Sequence, residues 1–188
     1  MFSTLFVFAL IGSAFCASCP KPPTVGDDFD ITKFGGRWFE VVRTTGFTED
    51  GLTCVTADFD LRPDGDFNTT NSAFRKNGQR ATEYGTAKRV KGGQKNELAM
   101  VSSAIPIPIN FYIIETDYDN YAAAYTCIGV PPLFSYETAW IFSRTNTLDA
   151  DTTQRLQNRL TNEFGIYPST IEVTNQTDCT YLPRGTYQ

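Results

Sequence analysis

GRWFE, at residues 36–40, opens the first predicted strand and is the stretch that decides the fold. Two further short motifs follow it in a fixed order: TDYDNY occupies residues 116–121, and SR stands at Ser143 and Arg144. Each motif alone carries little information. Together they span a long run of strand-like segments, and the pattern of these segments indicates the fold.

Eight segments have the pattern of short β-strands separated by turns. Within residues 54–61, apolar positions from Val55 to Leu61 alternate with polar ones, the period of a strand with one buried face. Asn77-Gly78 is a strong hairpin signal, because both residues tolerate positive φ. The predicted strands are residues 36–45, 54–61, 67–74, 80–91, 97–102, 109–115, 121–127 and 136–143.

The hydrophobic period changes after the eighth strand. Within residues 149–164 the apolar positions are spaced by fours, which predicts an amphipathic helix. Asp149 or Asp151 suits its start and Gly165 its end. Residues 170–174 predict a short extended piece. The chain is therefore predicted to be all-β: an eight-stranded antiparallel up-and-down barrel with one C-terminal α-helix packed outside, and room inside for one small ligand.

The apolar, uncharged start of the chain is interpreted as a secretory signal peptide covering residues 1–17. The 188-residue length then leaves residues 18–188 as a single domain of a secreted, extracellular protein. Asn68 and Asn175 begin glycosylation sequons, which fits secretion. Outside the signal peptide four cysteines remain: Cys19, Cys54, Cys127 and Cys179. They predict two disulfides with three possible pairings.

Composition excludes several functions. The net charge of −5 argues against a nucleic-acid partner. The chain contains no histidine, so Ser–His or Cys–His catalysis, imidazole ligation of haem and histidine-based metal sites are all excluded. Among the four cysteines outside the signal peptide there is also no Cys-x-x-Cys pair. We therefore expect no metal, no catalytic residue and no cofactor.

The chain resembles the lipocalin family from about Cys19 to Cys179. Within that family it is most similar to the apolipoprotein D and insect bilin-binding branch. The similarity is carried by CPKPPTVGDDFDITKFGGRWFEV, TDYDNYAAAYTC and AWIFSRTNTL, together with the order of strands, helix and tail cysteine. The resemblance implies a carrier rather than an enzyme. It leaves the ligand open among fatty acids, steroids, bilins and carotenoids.

The resemblance also implies roles for particular residues. Trp38 is expected to close the barrel floor, with Arg144 stacked over its indole. The first cysteine is expected to pair with the third and the second with the fourth, giving Cys19–Cys127 and Cys54–Cys179. The motif residues expected to be structural are Gly36, Trp38, Thr116, Asp117, Tyr118 and Arg144.

Strand alternation predicts which residues face the interior and contact a ligand. Thr69, Asn71 and Tyr84 are expected to supply hydrogen bonds to a carboxylate or carbonyl, and Glu40 is noted as a further polar anchor. The alternative is that some of these residues only fill the core. The predicted ligand-binding set is Val42, Ala57, Phe59, Thr69, Asn71, Tyr84, Leu98, Met100, Phe111, Ile113, Ala124, Trp140 and Phe142.

Two proline-rich apolar loops, residues 105–109 and 130–134, are expected at the open mouth. They are expected to contact a lipid particle or membrane surface or to gate ligand entry; the alternative is that they pack locally over the mouth. The functional prediction is a secreted carrier of a small hydrophobic ligand, with homo-oligomers left open. The alternatives are a pigment-binding chromoprotein and a secreted defence or interaction protein that uses its mouth loops.

Overall fold

The computed structural model describes residues 19, 24–25, 29–46, 49–130 and 133–185. The predicted signal peptide lies outside the described residues. The strands are β1 Gly36–Thr44, β2 Thr53–Leu61, β3 Phe67–Phe74, β4 Arg80–Arg89, β5 Glu97–Ser102, β6 Ile109–Thr116, β7 Tyr121–Val130, β8 Phe134–Ser143 and β9 Ile171–Val173. The helix α1 is Ala150–Phe164, and two 3₁₀ helices lie at Ile31–Phe34 and Pro168–Thr170.

Antiparallel pairing closes the sheet into a barrel. Each strand from β1 to β8 pairs with its neighbour in sequence, and β8 pairs back to β1. The predicted eight-stranded barrel with an outer helix is therefore confirmed, with β9 as one added strand on β1. The loops after β1, β3, β5 and β7 share one end of the barrel, which we call the mouth. The other end, near Trp38, is the floor.

A β-bulge in β1 reverses the facing of its second half. Glu40 pairs with Phe142 and faces the interior, whereas Val42 pairs with Ile141 and the register shifts between them. Val42 consequently packs with the outer cluster beneath α1. The prediction that Val42 faces a ligand was therefore wrong, because the bulge inserts one residue and inverts the strict alternation on which it rested.

The C-terminal tail closes the gap where β1 and β2 separate. Their pairing ends at Phe39 and Thr56. Beyond that point, Gln176 Nε2 donates 2.8 Å hydrogen bonds to the carbonyls of both Glu40 and Val55, and so ties the two strands together. The Cys54–Cys179 disulfide anchors the tail beside this gap, and Cys19–Cys127 joins the N-terminal segment to β7. Both are the pairs that the resemblance implied.

Helix α1 covers the outer face of the barrel wall. Asp149 caps it by accepting a 2.8 Å hydrogen bond from Thr152 N, and Gly165 ends it in the left-handed conformation with φ 69°. Leu156, Leu160 and Phe164 are buried against the outward-facing side chains of β6, β7 and β8. The helix thus makes the wall two layers thick and leaves the interior to other side chains.

The floor is a cation–π stack held by backbone carbonyls. Arg144 Cζ lies 3.5 Å from the centroid of the fully buried Trp38 ring. The guanidinium donates to the carbonyls of Tyr118 (2.8 Å), Arg37 (2.9 Å) and Gly35 (2.9 Å). It therefore ties the β6–β7 turn to the start of β1.

Two motif residues shape the backbone around this stack. Gly36 has φ 104°, and a Cβ there would lie 3.1 Å from Arg144 Nη1, so the position favours glycine on both grounds. In the β6–β7 turn, Thr116 Oγ1 accepts from Tyr118 N at 2.9 Å, and Asp117 Oδ1 accepts from Tyr121 N at 2.9 Å. These bonds fix the turn whose carbonyl receives Arg144.

Replacing Arg144 with lysine tests this floor. Arg144→Lys keeps the charge but loses the planar fork that reaches three carbonyls, so we expect the free energy of unfolding to fall by about 2 kcal/mol. Urea denaturation measures it. Arg184→Lys is the control, since Arg184 is exposed and bonds Asp60 at 3.3 Å, and should change by less than about 0.5 kcal/mol. Equal losses in the two variants would contradict the assigned role of Arg144.

Candidate functional site

The barrel encloses a cavity of about 860 Å³ between the floor and the mouth. That volume lies within the range of small-molecule sites. Seven of the predicted ligand-binding residues line it: Ala57, Phe59, Asn71, Met100, Phe111, Trp140 and Phe142. Aromatic rings dominate the deeper wall, where the centroids of Phe111 and Trp140 lie 5.7 Å apart.

Four other predicted residues are buried but do not belong to the described cavity wall. Leu98, Ile113 and Ala124 pack in the cluster that surrounds Trp38. Thr69 is buried on the inward face of β3. For these four the structure favours the alternative of core filling, because the barrel narrows over its floor and side chains there meet each other.

Tyr84 was wrongly predicted to face the ligand. It is 46% exposed and pairs with Thr70 on the outer side of the wall. The same register pairs Glu83 with Asn71, and both of these residues line the cavity. The prediction therefore set the alternation of β4 out by one residue. Glu83 faces the cavity, and Tyr84 faces outward.

Glu40 is the most deeply buried polar group of the cavity, at 1% exposure. Its Oε1 accepts from Arg43 Nη1 at 2.9 Å and from Thr174 Oγ1 at 2.5 Å, the latter through the gap between β1 and β2. Burial and the nearby charge of Glu49 raise the pKa of Glu40 to about 8. Burial thus disfavours the ionised form of Glu40, while the hydrogen bonds from Thr174 and Arg43 oppose that shift of its pKa.

Glu49 reaches the cavity from the loop that follows β1. Its Oε2 accepts a 2.9 Å hydrogen bond from Trp140 Nε1, which holds this part of the loop over the mouth. Burial raises the pKa of Glu49, although the Trp140 hydrogen bond and Arg43 oppose the shift. Reasoning from the sequence missed Glu49, because Glu49-Asp50 has the composition of an ordinary solvated loop.

Glu83 is the third carboxylate of the wall. Its Oε1 accepts from Ser102 Oγ and, at 3.2 Å, from Ala104 N. Strand alternation could have predicted the inward position of Glu83 if β4 had been aligned with β3 so that Glu83 pairs with Asn71. The cavity is thus apolar at depth and acidic towards the mouth.

The mouth loops divide between packing and exposure. Ile105 and Ile109 line the cavity, which fits local packing, whereas Ile107 is 61% exposed. In the second loop Leu133 is 77% exposed. Pro131 and Pro132 lie outside the described residues. Within the part of the chain that is described, no helix is long and apolar enough to cross a membrane.

Comparison with known proteins agrees with this geometry. The lipocalin-like domain family matches residues 29–176. Apolipoprotein D of Mus musculus is 30% identical over 161 residues, covering 86% of this chain and 84% of that protein. Apolipoprotein D of Cavia porcellus is 31% identical over 170 residues, covering 89% and 88%.

Solved structures support the fold independently. Insecticyanin from the tobacco hornworm Manduca sexta superposes with a TM-score of 0.72 at 22% identity, covering 86% of this chain and 88% of that chain. Lobster apocrustacyanin A1 gives a TM-score of 0.70 at 19% identity, covering 86% and 91%. The family match, the identity to apolipoprotein D and the closed barrel together show that this chain belongs to the lipocalin family, in its apolipoprotein D and bilin-binding branch.

Proposed function

We propose that this protein is a secreted carrier that binds one small hydrophobic molecule inside its barrel and does not transform it. The observation that supports this most directly is the cavity of about 860 Å³, which is walled by Phe59, Phe111, Trp140 and Phe142. Burying about 300 Å² of apolar ligand surface there would contribute about 7 kcal/mol before the costs of association.

Secretion and glycosylation are part of the same proposal. The two disulfides suit an oxidising compartment. Both sequon residues, Asn68 and Asn175, are exposed and could accept a glycan without unfolding the wall. Digestion of the secreted protein with a glycosidase, followed by mass spectrometry, tests whether either residue is used.

The chemical class of the ligand comes from mass spectrometry of an organic extract of the natively produced protein. Fatty acids, sterols or related lipids would support a lipid carrier, and a bilin or carotenoid would make it a pigment carrier. An empty extract would favour a protein whose mouth loops contact a partner. Light scattering on the same preparation reports whether the chain self-associates.

A larger side chain on the cavity wall should lower the affinity for large ligands more than the affinity for small ones. Ala57 lines the cavity, so Ala57→Phe should lower affinity for a retinol-sized ligand about tenfold or more and affect a smaller neutral dye less. Fluorescence titration measures both affinities. Ala99→Phe is the matched control, because Ala99 alternates with the inward-facing Leu98 and Met100 and its side chain points out of the barrel. Equal effects of the two variants, or none for either ligand, would argue against binding in this cavity.

The buried acid at Glu40 makes stability depend on pH. Its pKa is raised from 4.5 to about 8, so its stabilising contribution is fully present below pH 4.5 and is lost as pH rises through 8. Between pH 6 and pH 9 we expect the wild type to lose about 2 kcal/mol of unfolding free energy relative to Glu40→Gln, which cannot ionise. Urea denaturation at both values measures the difference. Glu163→Gln, on the exposed side of α1, should show no such trend, and a parallel decline in all three proteins would refute the assignment.

We also propose that the mouth touches a lipid surface while ligand is exchanged. Among the described residues of the two mouth loops, Ile107 and Leu133 are the exposed large apolar side chains. Changing both to serine should reduce co-sedimentation with neutral phosphatidylcholine vesicles several-fold, since each loses its apolar contact. Leu61→Ser is the control, because Leu61 is 48% exposed at the floor end. Wild-type protein that stays in the supernatant would remove this proposal and leave the carrier function untouched.

A further inference from the structure

The charged side chains of the cavity wall are mainly acidic. Three carboxylates line it from three separate elements: Glu40 on β1, Glu49 on the following loop and Glu83 on β4. They also influence each other, since Glu49 raises the pKa of Glu40 and Glu83 raises that of Glu49. The acidic character is therefore shared across the mouth-side wall and does not come from a single side chain.

The neighbouring cations leave this acidity largely uncompensated. Arg43 is 2% exposed and divides its donors among Glu40 (2.9 Å), Glu172 (2.7 Å) and the Leu52 carbonyl (3.1 Å). Of the described residues that line the cavity, Arg75 is the one with a positive charge, and it is exposed at the β3–β4 hairpin of the mouth. A ligand that passes the mouth therefore meets carboxylates without a matching free cation beside them.

Glu40 supplies an acceptor that the protein itself does not fill. Both of its described hydrogen bonds end on Oε1, from Arg43 and Thr174. Among the described residues no donor reaches Oε2, although the side chain is buried and lines the cavity. Because the Glu40 side chain lines the cavity, a ligand donor could bond this oxygen without displacing a donor of the protein.

We propose that the natural ligand carries an N–H or O–H donor group on an apolar body, best of all a protonated amine, and that the cavity discriminates against free fatty-acid carboxylates. The inference rests on the carrier function proposed above and narrows its ligand class. The apolar body lies against Phe59, Phe111 and Phe142, and the donor group faces Glu40 and Glu49 near the mouth.

The physical basis is the sign of the interaction in a poorly solvated site. A carboxylate ligand would stand beside three acidic side chains and be repelled by those that are ionised, which opposes its binding in the ionised form. An ammonium group gains charge-assisted hydrogen bonds and stabilises the ionised form of Glu40. One such bond corresponds to about ten- to a hundredfold in affinity.

A matched ligand series tests the proposal. Dodecylamine, dodecanol and dodecanoate share one alkyl chain and differ in the head group. Each is titrated below its micellar concentration at pH 7.5 against the protein loaded with a neutral fluorescent dye, and displacement gives its affinity. We expect dodecylamine to bind at least about tenfold tighter than dodecanoate, with dodecanol between them.

Two variants locate the source of any preference. Glu49→Gln keeps an oxygen that can accept from Trp140 Nε1 but removes the charge, and it should reduce the amine-to-carboxylate ratio several-fold. Glu163→Gln makes the same chemical change on the outside of α1 and should leave the ratio unchanged. Thermal unfolding of each variant shows that it is folded.

The outcomes distinguish failure of the donor-ligand preference from failure of the carrier function. If dodecanoate binds as tightly as dodecylamine, or if Glu163→Gln lowers the ratio as much as Glu49→Gln does, the donor-ligand inference fails and the carrier function remains. If the dye and all three ligands fail to bind, the carrier function itself fails. A preference for the amine that Glu49→Gln reduces supports both.

Discussion

The β-bulge in β1 is the local constraint on which the site depends. It lets β1 present Glu40 to the interior and Val42 to the outer helix within a few residues. The strand can therefore contribute to both hydrophobic clusters and still bring a carboxylate to the cavity. In a regular strand, Val42 would have faced inward after Trp38 and Glu40. Arg43 would then have pointed outward, and Glu40 would have lost its ion-pair partner.

Different interactions close the barrel at its two ends. At the floor, Arg144 places its charge over the Trp38 ring and donates to backbone carbonyls, so a half-buried cation is held mainly by neutral groups. Towards the mouth, β1 and β2 part, and the gap is closed by Gln176 and the Cys54–Cys179 bridge. The floor is thus held by one guanidinium and backbone carbonyls, whereas the mouth side is held by the tail and its disulfide.

Burying an acidic side chain near the mouth lowers the stability of the fold when that side chain is ionised. Glu40 is held at 1% exposure with a pKa of about 8, which means that the fold keeps a carboxyl group where its ionised form is disfavoured. Groups whose environment opposes their charge are concentrated at functional sites, where binding or chemistry makes use of them. A donor-bearing ligand would relieve that cost, so the same residues that destabilise the empty cavity at high pH would select what fills it.

Local periodicity and turn chemistry were enough to predict the all-β barrel, its strands within a few residues, and the helix with its caps. The resemblance carried by GRWFE, TDYDNY and SR added the floor and the disulfide pairs. The outward facing of Val42 and Tyr84, the packing of Leu98 and Ile113 at the floor, and the reach of Glu49 into the cavity became visible only in the folded chain. Those outcomes depend on a bulge, on the pairing register and on a loop folding across the mouth. Each brings together residues from different strands, and no window of one strand contains that information.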